Sequence, residues 1–329
     1  MSSPLTPYSQ LTPDCLLDAL EAAGFRTDGR LLALNSFENR VYQVGIEDST
    51  PVVAKFYRPH RWTDDAIHEE HAFLRQLAEA EIPVVAPLAN AAGETLFHAE
   101  GFRFAVFPRR GGRSPELDNP ETLTWLGRFI GRIHAIGRQS RYHHRPTLSP
   151  QTFGTHAIEQ ILDSGFVPAD KRGRWQQSAN RAMEAIEALY EKAGDIELIR
   201  LHGDCHPSNV LWTDDGPHFV DFDDSRMGPA VQDLWMLVTG AGIEQQHQLT
   251  DILVGYEDFC EFNWHERHLI EALRTLRQIH YAAWLSQRWS DPAFPAAFPW
   301  FGEPHYWDEH TQALEQQVLV MQEKLDPHY

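Results

Sequence analysis

The N-terminal third of the chain alternates between segments with helical spacing and short runs of β-forming residues. Apolar side chains recur at helical intervals over residues 16–23, which Gly24 would terminate, and again over residues 62–80, where Thr63 suits an N-cap. β-Branched and aromatic residues predict four strands, at residues 40–44, 51–57, 94–98 and 102–107. A polar run joins the first two of these as a hairpin. This pattern predicts a small lobe of mixed sheet and helix.

Proline and paired glycines interrupt the pattern after Pro108, and beyond them the chain becomes mostly helical. Five segments with an apolar face predict helices, at residues 123–137, 179–192, 251–262, 268–289 and 311–324. A short β-rich island lies among them, at residues 198–201, 210–212 and 218–220. The pattern predicts an α+β protein with an N-terminal lobe over residues 1–108, a hinge at 109–113 and a larger C-terminal lobe over 114–329.

The composition excludes several classes of protein. Hydrophobic content of 42% and charged content of 23% are ordinary for a globular protein. A formal net charge of −19 argues against nucleic-acid binding, which needs a basic surface, and is compatible with a cationic acceptor or a basic partner. No stretch approaches the roughly 18 apolar residues of a membrane span. The N-terminus lacks the basic and apolar regions of a signal peptide. We expect a cytoplasmic monomer with no membrane or nucleic-acid partner.

Cysteines and paired histidines give no sign of a structural metal site. Cys15, Cys205 and Cys260 are widely spaced and form no C-x-x-C motif, so neither a disulfide framework nor a zinc site is predicted. His143 and His144 are adjacent in a basic segment, and such pairs are more typical of a solvated loop than of metal ligands.

The residues that suggest chemistry are concentrated in the β-rich island. It reads HGDCHPSN over residues 202–209 and DFDD over residues 221–224. Phosphoryl transfer from ATP needs metal ions that neutralise the phosphates and a group that orients the attacking hydroxyl and accepts its proton. Asp204 is predicted to be the catalytic base. Asn209 and Asp221 are predicted to bind Mg²⁺, which prefers such oxygen donors. Asp221 is also predicted to be catalytic, together with Asp204.

Two further candidates lie in the N-terminal lobe in the order that a nucleotide site requires. Lys55 closes an apolar strand, where its ammonium group suits the phosphates of ATP. Glu70 lies on the following predicted helix, where it is expected to hold Lys55 in an ion pair. Glu69 is one residue earlier and remains an alternative partner for the lysine.

The H-G-D-x-x-x-x-N and D-F-D motifs resemble those of the aminoglycoside phosphotransferase and choline kinase branch of the protein-kinase-like superfamily. Protein kinases carry the related H-R-D-x-x-x-x-N and D-F-G motifs. Gly203 stands where a protein kinase has Arg and Asp223 where it has Gly, which favours the phosphotransferase branch. The resemblance implies a two-lobed protein-kinase-like fold of the aminoglycoside phosphotransferase type. It also implies that Asp233 braces the catalytic loop.

One segment departs from the expected pattern. The loop that covers the phosphates is usually glycine-rich, so that backbone amides can approach them. Here residues 34–42 read LNSFENRVY and contain no glycine. Ser36 is predicted to contact ATP through its hydroxyl and amide groups.

Longer strings extend the resemblance over nearly the whole chain. Residues 34–43, 53–59, 228–237 and 289–295, together with the catalytic loop, resemble the bacterial stress response kinase A family of serine/threonine protein kinases. This resemblance implies ATP-dependent phosphorylation of protein serine or threonine, autophosphorylation and a role in a stress response. Composition and spacing by themselves indicate only the transfer of a phosphoryl group.

Two other functions stay open. One is a small-molecule hydroxyl kinase with an aminoglycoside, choline or sugar-type acceptor, which carboxylates around Asp204 would favour if the acceptor is cationic. The other is a pseudokinase that acts as a binding scaffold, a hypothesis that the absence of glycine from the phosphate-covering loop leaves open. Cys205, beside the predicted base, also suggests the hypothesis of redox control.

Overall fold

The computed structural model describes residues 7–240 and 242–325, so residues 1–6, which carry the expectation of no signal peptide, lie outside it. The N-terminal region is built on one antiparallel sheet of five strands in the order β1-β2-β3-β5-β4. The strands are β1 (Thr27–Leu34), β2 (Arg40–Ile46), β3 (Val52–Phe56), β4 (Phe97–Ala99) and β5 (Phe102–Pro108). The predicted hairpin is confirmed, because β2 pairs with β3 and places Val41 opposite Lys55.

The sequence pattern does not predict β1, which lies at the edge of the sheet. Six of its eight residues are exposed, so β1 lacks the alternation of apolar and polar side chains that marks a half-buried strand. β4 is also displaced from its prediction, since it spans Phe97–Ala99 rather than residues 94–98. Pairing with β2 and with β5 determines where these two strands lie.

Two helices pack on this sheet. The side chains of Thr12 and Thr63 cap α1 (Pro13–Ala22) and α2 (Asp64–Glu79) by accepting a backbone N–H at 3.2 Å in each case. The apolar face of α2 is buried, and Glu70 is buried with it. The fold therefore carries a carboxylate into the interior beside β3.

The C-terminal region is mostly helical. Its helices are α3 (Pro120–Gly137), α4 (His156–Ser164), α5 (Ala169–Ala193), α6 (Val231–Trp235), α7 (Ile243–Tyr256), α8 (Ile270–Arg288), α9 (Ala293–Ala297) and α10 (Pro304–Leu325). The five predicted helices overlap α3, α5, α7, α8 and α10. The pattern misses α4, which follows a π-helical turn at Pro150–Thr155. No helix in the part of the chain that the structure describes is long and apolar enough to cross a membrane.

Most of the aromatic residues near the C-terminus belong to the core or pack against it. Phe294, Phe301 and Trp307 are each 0% exposed and pack with residues of α4, α5, α8 and α10. Trp284 is half-buried, whereas Trp300 is exposed. This core fixes the position of α8, the helix that faces the candidate site.

The β-rich island forms two small antiparallel pairs between the helices. Strand β6 (Ile199–Leu201) pairs with β9 (Arg226–Gly228), and β7 (Val210–Thr213) forms a hairpin with β8 (Gly216–Phe219). The loop of residues 202–209 joins β6 to β7, and residues 220–225 join β8 to β9. Both motif-bearing segments are thus held at their ends by strands. The sheet-containing and helical regions agree with the predicted fold class, while the boundaries at 108 and 114 stay a prediction.

Candidate active site

A buried ion pair joins the sheet to α2. Lys55 on β3 and Glu70 on α2 are 3.2 Å apart, and 6% and 1% of their surfaces are exposed. Desolvation opposes the charge on Lys55, but the carboxylates of Glu70, Asp223 and Asp221 outweigh it and hold the pKa of Lys55 above its ordinary value. The predicted partner of Lys55 is therefore present, and the lysine stays charged in the folded protein.

Glu69, the alternative partner, has a different role. Its two carboxylate oxygens accept the backbone N–H groups of His143, His144 and Arg145 at 2.6, 3.0 and 3.1 Å. Glu69 thus fixes the loop after α3, whereas Glu70 faces the lysine. The side chains of His143 and His144 are exposed, as expected of a solvated pair.

Arg145 is a site residue that the sequence did not reveal. It is 5% exposed and lies 3.3 Å from the second carboxylate oxygen of Glu70. Its guanidinium also donates to the backbone oxygens of Ser225, Ala66 and Asp223. Arg145 therefore connects α2 to the DFDD segment. In the sequence it stands beside paired histidines, with nothing to distinguish it from an exposed arginine.

Asp233 braces the catalytic loop as the resemblance implied. Its carboxylate, on α6, accepts the backbone N–H groups of His202 at 2.8 Å and Gly203 at 2.9 Å. His134 on α3 lies 3.0 Å from the same carboxylate, and both side chains are fully buried. These contacts fix the backbone immediately before Asp204.

His202 links the catalytic loop to the second motif. Its Nδ1 accepts the backbone N–H of Asp204 at 3.3 Å, so its Nε2 carries the proton and donates to the Val220 oxygen at 2.8 Å. The imidazole also packs against Phe222, with ring centroids 4.3 Å apart. His202 thereby fixes the spacing between the loop that holds Asp204 and the residue before Asp221.

Asp204 is ion-paired from a direction that the sequence did not indicate. Arg277 on α8 donates from Nη1 to its Oδ1 at 2.6 Å, and His206 Nε2 lies 3.4 Å from Oδ2. Desolvation acts to raise the pKa of Asp204, but the contacts with His206 and Arg277 outweigh it and lower the pKa. Asp204 is consequently ionised at neutral pH.

Asn209 is oriented by a hydrogen bond to the backbone beside Asp204. Its Nδ2 donates to the Asp204 carbonyl oxygen at 2.9 Å, and the side chain is largely buried. Among residues 7–240 and 242–325, no hydrogen bond occupies Asn209 Oδ1. The amide oxygen is therefore available to a ligand.

Asp221, two residues after β8, occupies an unusual backbone position. Its φ and ψ angles of 60° and 63° lie in the left-handed region, which few residues other than glycine adopt. The side chain is 57% exposed, and Oδ1 lies 4.0 Å from the Lys55 ammonium. Partial desolvation in the cleft and the nearby carboxylates of Asp223 and Asp224 raise the pKa of Asp221 to about 6, against the effect of Lys55. A cation bound here would relieve this repulsion.

The donor set formed by Asn209 and Asp221 fits a hard divalent ion. Both residues present oxygen atoms, as Mg²⁺ prefers, and Mg²⁺ at such sites usually keeps several waters and phosphate oxygens as ligands. Within the described residues, no group of three or more His, Cys, Asp or Glu side chains is arranged to hold a metal ion. The geometry therefore suits a metal that arrives with a nucleotide better than one held by the protein alone.

The two acids after Asp221 face arginines. Arg61 contacts Asp223 at 2.5 Å and Asp224 at 2.8 Å, and Arg226 also pairs with Asp224. Desolvation acts against these charges, but the arginines and Lys55 prevail and lower the pKa of both aspartates. The carboxylate that replaces the glycine of D-F-G is thus paired with a cation of the N-terminal region.

Ser36 lies in the loop between β1 and β2, half-buried. No hydrogen bond within the described ranges joins its side chain to Lys55, Glu70, Asp204, Asn209 or Asp221. Its predicted contact with ATP stays a prediction. The same loop is anchored through the buried Asn39, whose Oδ1 accepts the Arg58 backbone N–H at 3.1 Å.

The environment of Cys205 disfavours redox control. The residue is 1% exposed. Desolvation and the nearby Asp233 and Asp204 carboxylates raise the pKa of its thiol well above the ordinary value. Reactive cysteines need a thiolate with access to solvent, and Cys205 has neither property.

The two-lobed fold, the Lys55–Glu70 ion pair and the acidic loops opposite them define a class, the ATP-dependent phosphotransferases. Residues 30–270 match the model of the phosphotransferase enzyme family. The chain is 45% identical over 332 residues to stress response kinase A of Escherichia coli K12, covering 100% of both chains. It is 41% identical over 325 residues to serine/threonine protein kinase RdoA of Salmonella typhimurium LT2, covering 98% of both. The chain therefore belongs to the stress response kinase A family of phosphotransferases.

Solved structures confirm the predicted fold class. A microcompartment-associated aminopropanol kinase has a TM-score of 0.70 at 16% identity and covers 94% of this chain and 97% of its own. Amicoumacin kinase hAmiN, in complex with AMP-PNP, Ca²⁺ and Ami, has a TM-score of 0.68 at 19% identity and covers 91% and 94%. At these identities the likeness concerns the fold alone.

Proposed function

We propose that this chain is an ATP- and Mg²⁺-dependent serine/threonine protein kinase that acts in a bacterial stress response. Its catalytic base is Asp204, and Asn209 and Asp221 hold the magnesium. The observation that carries the proposal is the continuity of the site. Lys55 is ion-paired to Glu70 and lies 4.0 Å from Asp221. Asn209 is hydrogen-bonded to the backbone of Asp204.

Each residue has a distinct part in binding the nucleotide. Lys55, held by Glu70, pairs with the phosphates of ATP, and Ser36 approaches them from the β1–β2 loop. Asn209 Oδ1 and the Asp221 carboxylate hold Mg²⁺, which neutralises charge on the phosphates when it is bound. The amicoumacin kinase with AMP-PNP and Ca²⁺ supports a divalent ion on this fold.

Asp204 orients the acceptor hydroxyl and accepts its proton. Its lowered pKa keeps it ionised at neutral pH. Phosphoryl transfer has a loose transition state, in which positioning contributes more than basicity. The braced backbone before Asp204 is therefore a functional feature, since Asp233 and His202 restrict where the carboxylate lies.

The two groups that contact the Asp204 carboxylate favour a neutral or acidic acceptor, although the Asp224 carboxylate adds a negative charge nearby. The two carboxylate oxygens of Asp204 contact Arg277 and His206 rather than further carboxylates. A cationic amino alcohol or aminoglycoside would be repelled by Arg277, whereas a serine or threonine in a protein would not. This arrangement supports protein phosphorylation, in agreement with the name of the Salmonella relative. The intact ion pairs of the site speak against a pseudokinase. The proposal includes action as a monomer in the cytoplasm, where ATP is available.

The proposal is tested by transfer of labelled γ-phosphate from Mg-ATP into a bacterial extract, with Asp204→Ala as the control. The products are separated into macromolecular and small-molecule fractions before counting. Label on protein serine or threonine, including the kinase itself, that is absent with the variant supports the proposal. Label confined to the small-molecule fraction would show a small-molecule kinase, and no transfer with either protein would favour a pseudokinase.

A further inference from the structure

The glycine-free loop between β1 and β2 is held by two arginines of the N-terminal region. Arg58 donates from Nε to the Glu38 carbonyl oxygen at 3.0 Å and from Nη2 to the Phe37 carbonyl oxygen at 3.2 Å. Arg40 Nη1 donates to the same Phe37 oxygen at 3.3 Å. The backbone of the loop is therefore fixed by guanidinium groups on β2 and after β3.

Asp291, from the C-terminal region, holds both arginines. It lies between α8 and α9, and its Oδ2 accepts from Arg58 at 2.9 Å and from Arg40 at 3.1 Å. The Ala293 backbone N–H donates to Oδ1 at 3.1 Å and orients the carboxylate. Asp291 is 3% exposed. Its ion pairs are consequently little screened by solvent.

The side chain of Glu38 is held separately, by hydrogen bonds from two residues of α8. Its Oε2 accepts from the Trp284 indole at 2.5 Å and from Arg288 Nε at 2.7 Å. Arg58 and Arg61 also lie near its Oε1, at 3.2 and 3.5 Å. The loop is thus linked to the C-terminal region in two ways. Its backbone is held by arginines that pair with Asp291, and the side chain of Glu38 contacts α8 directly. We call these residues the loop clamp: Glu38, Arg40, Arg58, Trp284, Arg288 and Asp291.

The loop clamp continues into the acidic segment of the site. Arg61 lies 3.5 Å from Glu38 and also pairs with Asp223 and Asp224, the last two acids of the DFDD segment that begins with Asp221. Lys55 lies 3.6 Å from Asp223. The position of the loop is therefore linked by ion pairs to the residues proposed to hold the metal and the phosphates.

We infer that Asp291 and Glu38 are positioning residues for the nucleotide, because the clamp holds the loop at residues 37–40 in one conformation over the phosphates. A glycine-rich loop achieves close approach through backbone freedom, whereas this loop is ordered in advance by buried ion pairs. An ordered loop loses less conformational freedom when it binds a ligand. The inference rests on the proposed binding of ATP at this site.

The test compares Asp291→Asn and Glu38→Gln with Asp308→Asn. The first two remove the charge of a clamp residue and keep its shape. Asp308 makes a more exposed ion pair with Lys171 at 2.6 Å, between α10 and α5, away from the loop. Affinity for the Mg²⁺ complex of a non-hydrolysable ATP analogue is measured by calorimetry, and KM for ATP and kcat by labelled phosphate transfer.

We expect each clamp variant to raise the Kd for the analogue and the KM for ATP about tenfold, with kcat changed by less than about threefold. The double variant should be no more than about twice as weak as either single variant, because both act through one cluster. Asp308→Asn should match the wild type. Thermal unfolding establishes that each variant is folded, and Trp284→Phe, which removes one hydrogen bond to Glu38, replaces any variant that is not.

Three results would overturn the inference. Unchanged nucleotide affinity in folded clamp variants would show that the clamp only joins the two regions, and would leave the proposed kinase activity standing. A loss confined to kcat would place the effect in catalysis rather than in nucleotide binding. If the wild-type protein bound no Mg²⁺–nucleotide, the proposed function would fail together with the inference.

Discussion

Arg277 donates to Asp204 across 2.6 Å, so the proposed catalytic base is ion-paired before any acceptor is present. The two side chains are 44% and 21% exposed. Such a half-exposed pair contributes only about 1 kcal/mol or less. An acceptor can therefore displace Arg277 or share the carboxylate with it at little cost. Because Arg277 is positively charged, it also influences which acceptors approach.

Replacing Arg277 should change the preference among acceptors. We expect Arg277→Gln to reduce the preference for serine peptides with acidic flanks over those with basic flanks by about fivefold, since a half-exposed charge contributes at most about 1 kcal/mol. A peptide array measures the flank preference, and KM for ATP shows whether nucleotide binding has changed as well. Arg174→Gln, at a half-exposed pair with Glu315 on α10, is the matched control. Equal flank preferences for the wild type and Arg277→Gln would contradict the role of Arg277.

Glu70 and Glu69 offer a matched comparison of adjacent acids. We expect Glu70→Gln to lower kcat/KM for ATP by about 10- to 100-fold, because Lys55 loses the carboxylate that orients it. Glu69→Gln should leave this ratio within about twofold and lower thermal stability instead, since Glu69 accepts three backbone N–H groups. Steady-state kinetics and thermal unfolding separate the two. Equal kinetic losses would contradict the assignment of Glu70.

Asp233 should affect both stability and turnover. An asparagine has one oxygen acceptor where Asp233 uses both oxygens, so Asp233→Asn should lower the free energy of unfolding by about 1–3 kcal/mol. We also expect kcat to fall about tenfold, because the backbone before Asp204 loses part of its support. Denaturant titration and kinetics under conditions where the variant is folded measure these effects. An unchanged kcat would limit Asp233 to a structural role.

The proposed metal site predicts that activity depends on a divalent ion. Chelation with EDTA should abolish phosphate transfer, and added Mg²⁺ should restore it. Asn209→Ala should raise the Mg²⁺ concentration that gives half-maximal activity about tenfold or more, because one of the two proposed protein ligands is lost. Ser208→Ala, at an exposed neighbouring position, serves as the control. Full activity in EDTA would exclude the proposed metal site.

Glu266 should make stability depend on pH. Burial, opposed by the Val231 N–H at 2.8 Å, raises the pKa of Glu266 to about 7. Between about pH 4.5 and 7 the unfolded chain releases this proton while the folded protein keeps it, so stability falls as pH rises. Glu266→Gln should remove this dependence, so the stability of the variant relative to the wild type should be about 3 kcal/mol higher at pH 8 than at pH 5. Denaturant unfolding at pH 5 and pH 8 measures the difference. A constant difference between the two proteins at both pH values would contradict the prediction.

Local patterns were sufficient for the parts of the fold that bury one face. The hairpin of β2 and β3 and the five long helices have apolar periodicity in their own residues. They overlap their predicted positions, although α7 lies at Ile243–Tyr256 rather than at residues 251–262. The pattern did not predict β1 or α4, and it misplaced β4. β1 is mostly exposed, and neighbouring strands determine where β1 and β4 begin and end. α4 follows a segment broken by Pro150 and Gly154.

The candidate site divides in the same way. Asp204, Asn209 and Asp221 could be recognised because they lie in motifs whose spacing has a chemical meaning. Lys55 and Glu70 could be recognised from their order on a predicted strand and the helix that follows it. Arg61, Arg145 and Arg277 could not, since an arginine's role depends on the carboxylate that it meets. Arg277 is 73 residues from Asp204, and Arg145 is 75 residues from Glu70.

The sequence by itself determined the class of fold, the family and the acidic and basic residues proposed for phosphate transfer, because these are recorded in periodicity and in motif spacing. Only the tertiary structure decided that Glu70 rather than Glu69 faces Lys55, and that Arg277 forms an ion pair with Asp204. It also decided that Asp291 holds the loop between β1 and β2 through Arg40, which is 251 residues away in the sequence. The reason is physical. An ion pair acts over a few ångströms, and only the folded chain brings distant charges within that distance.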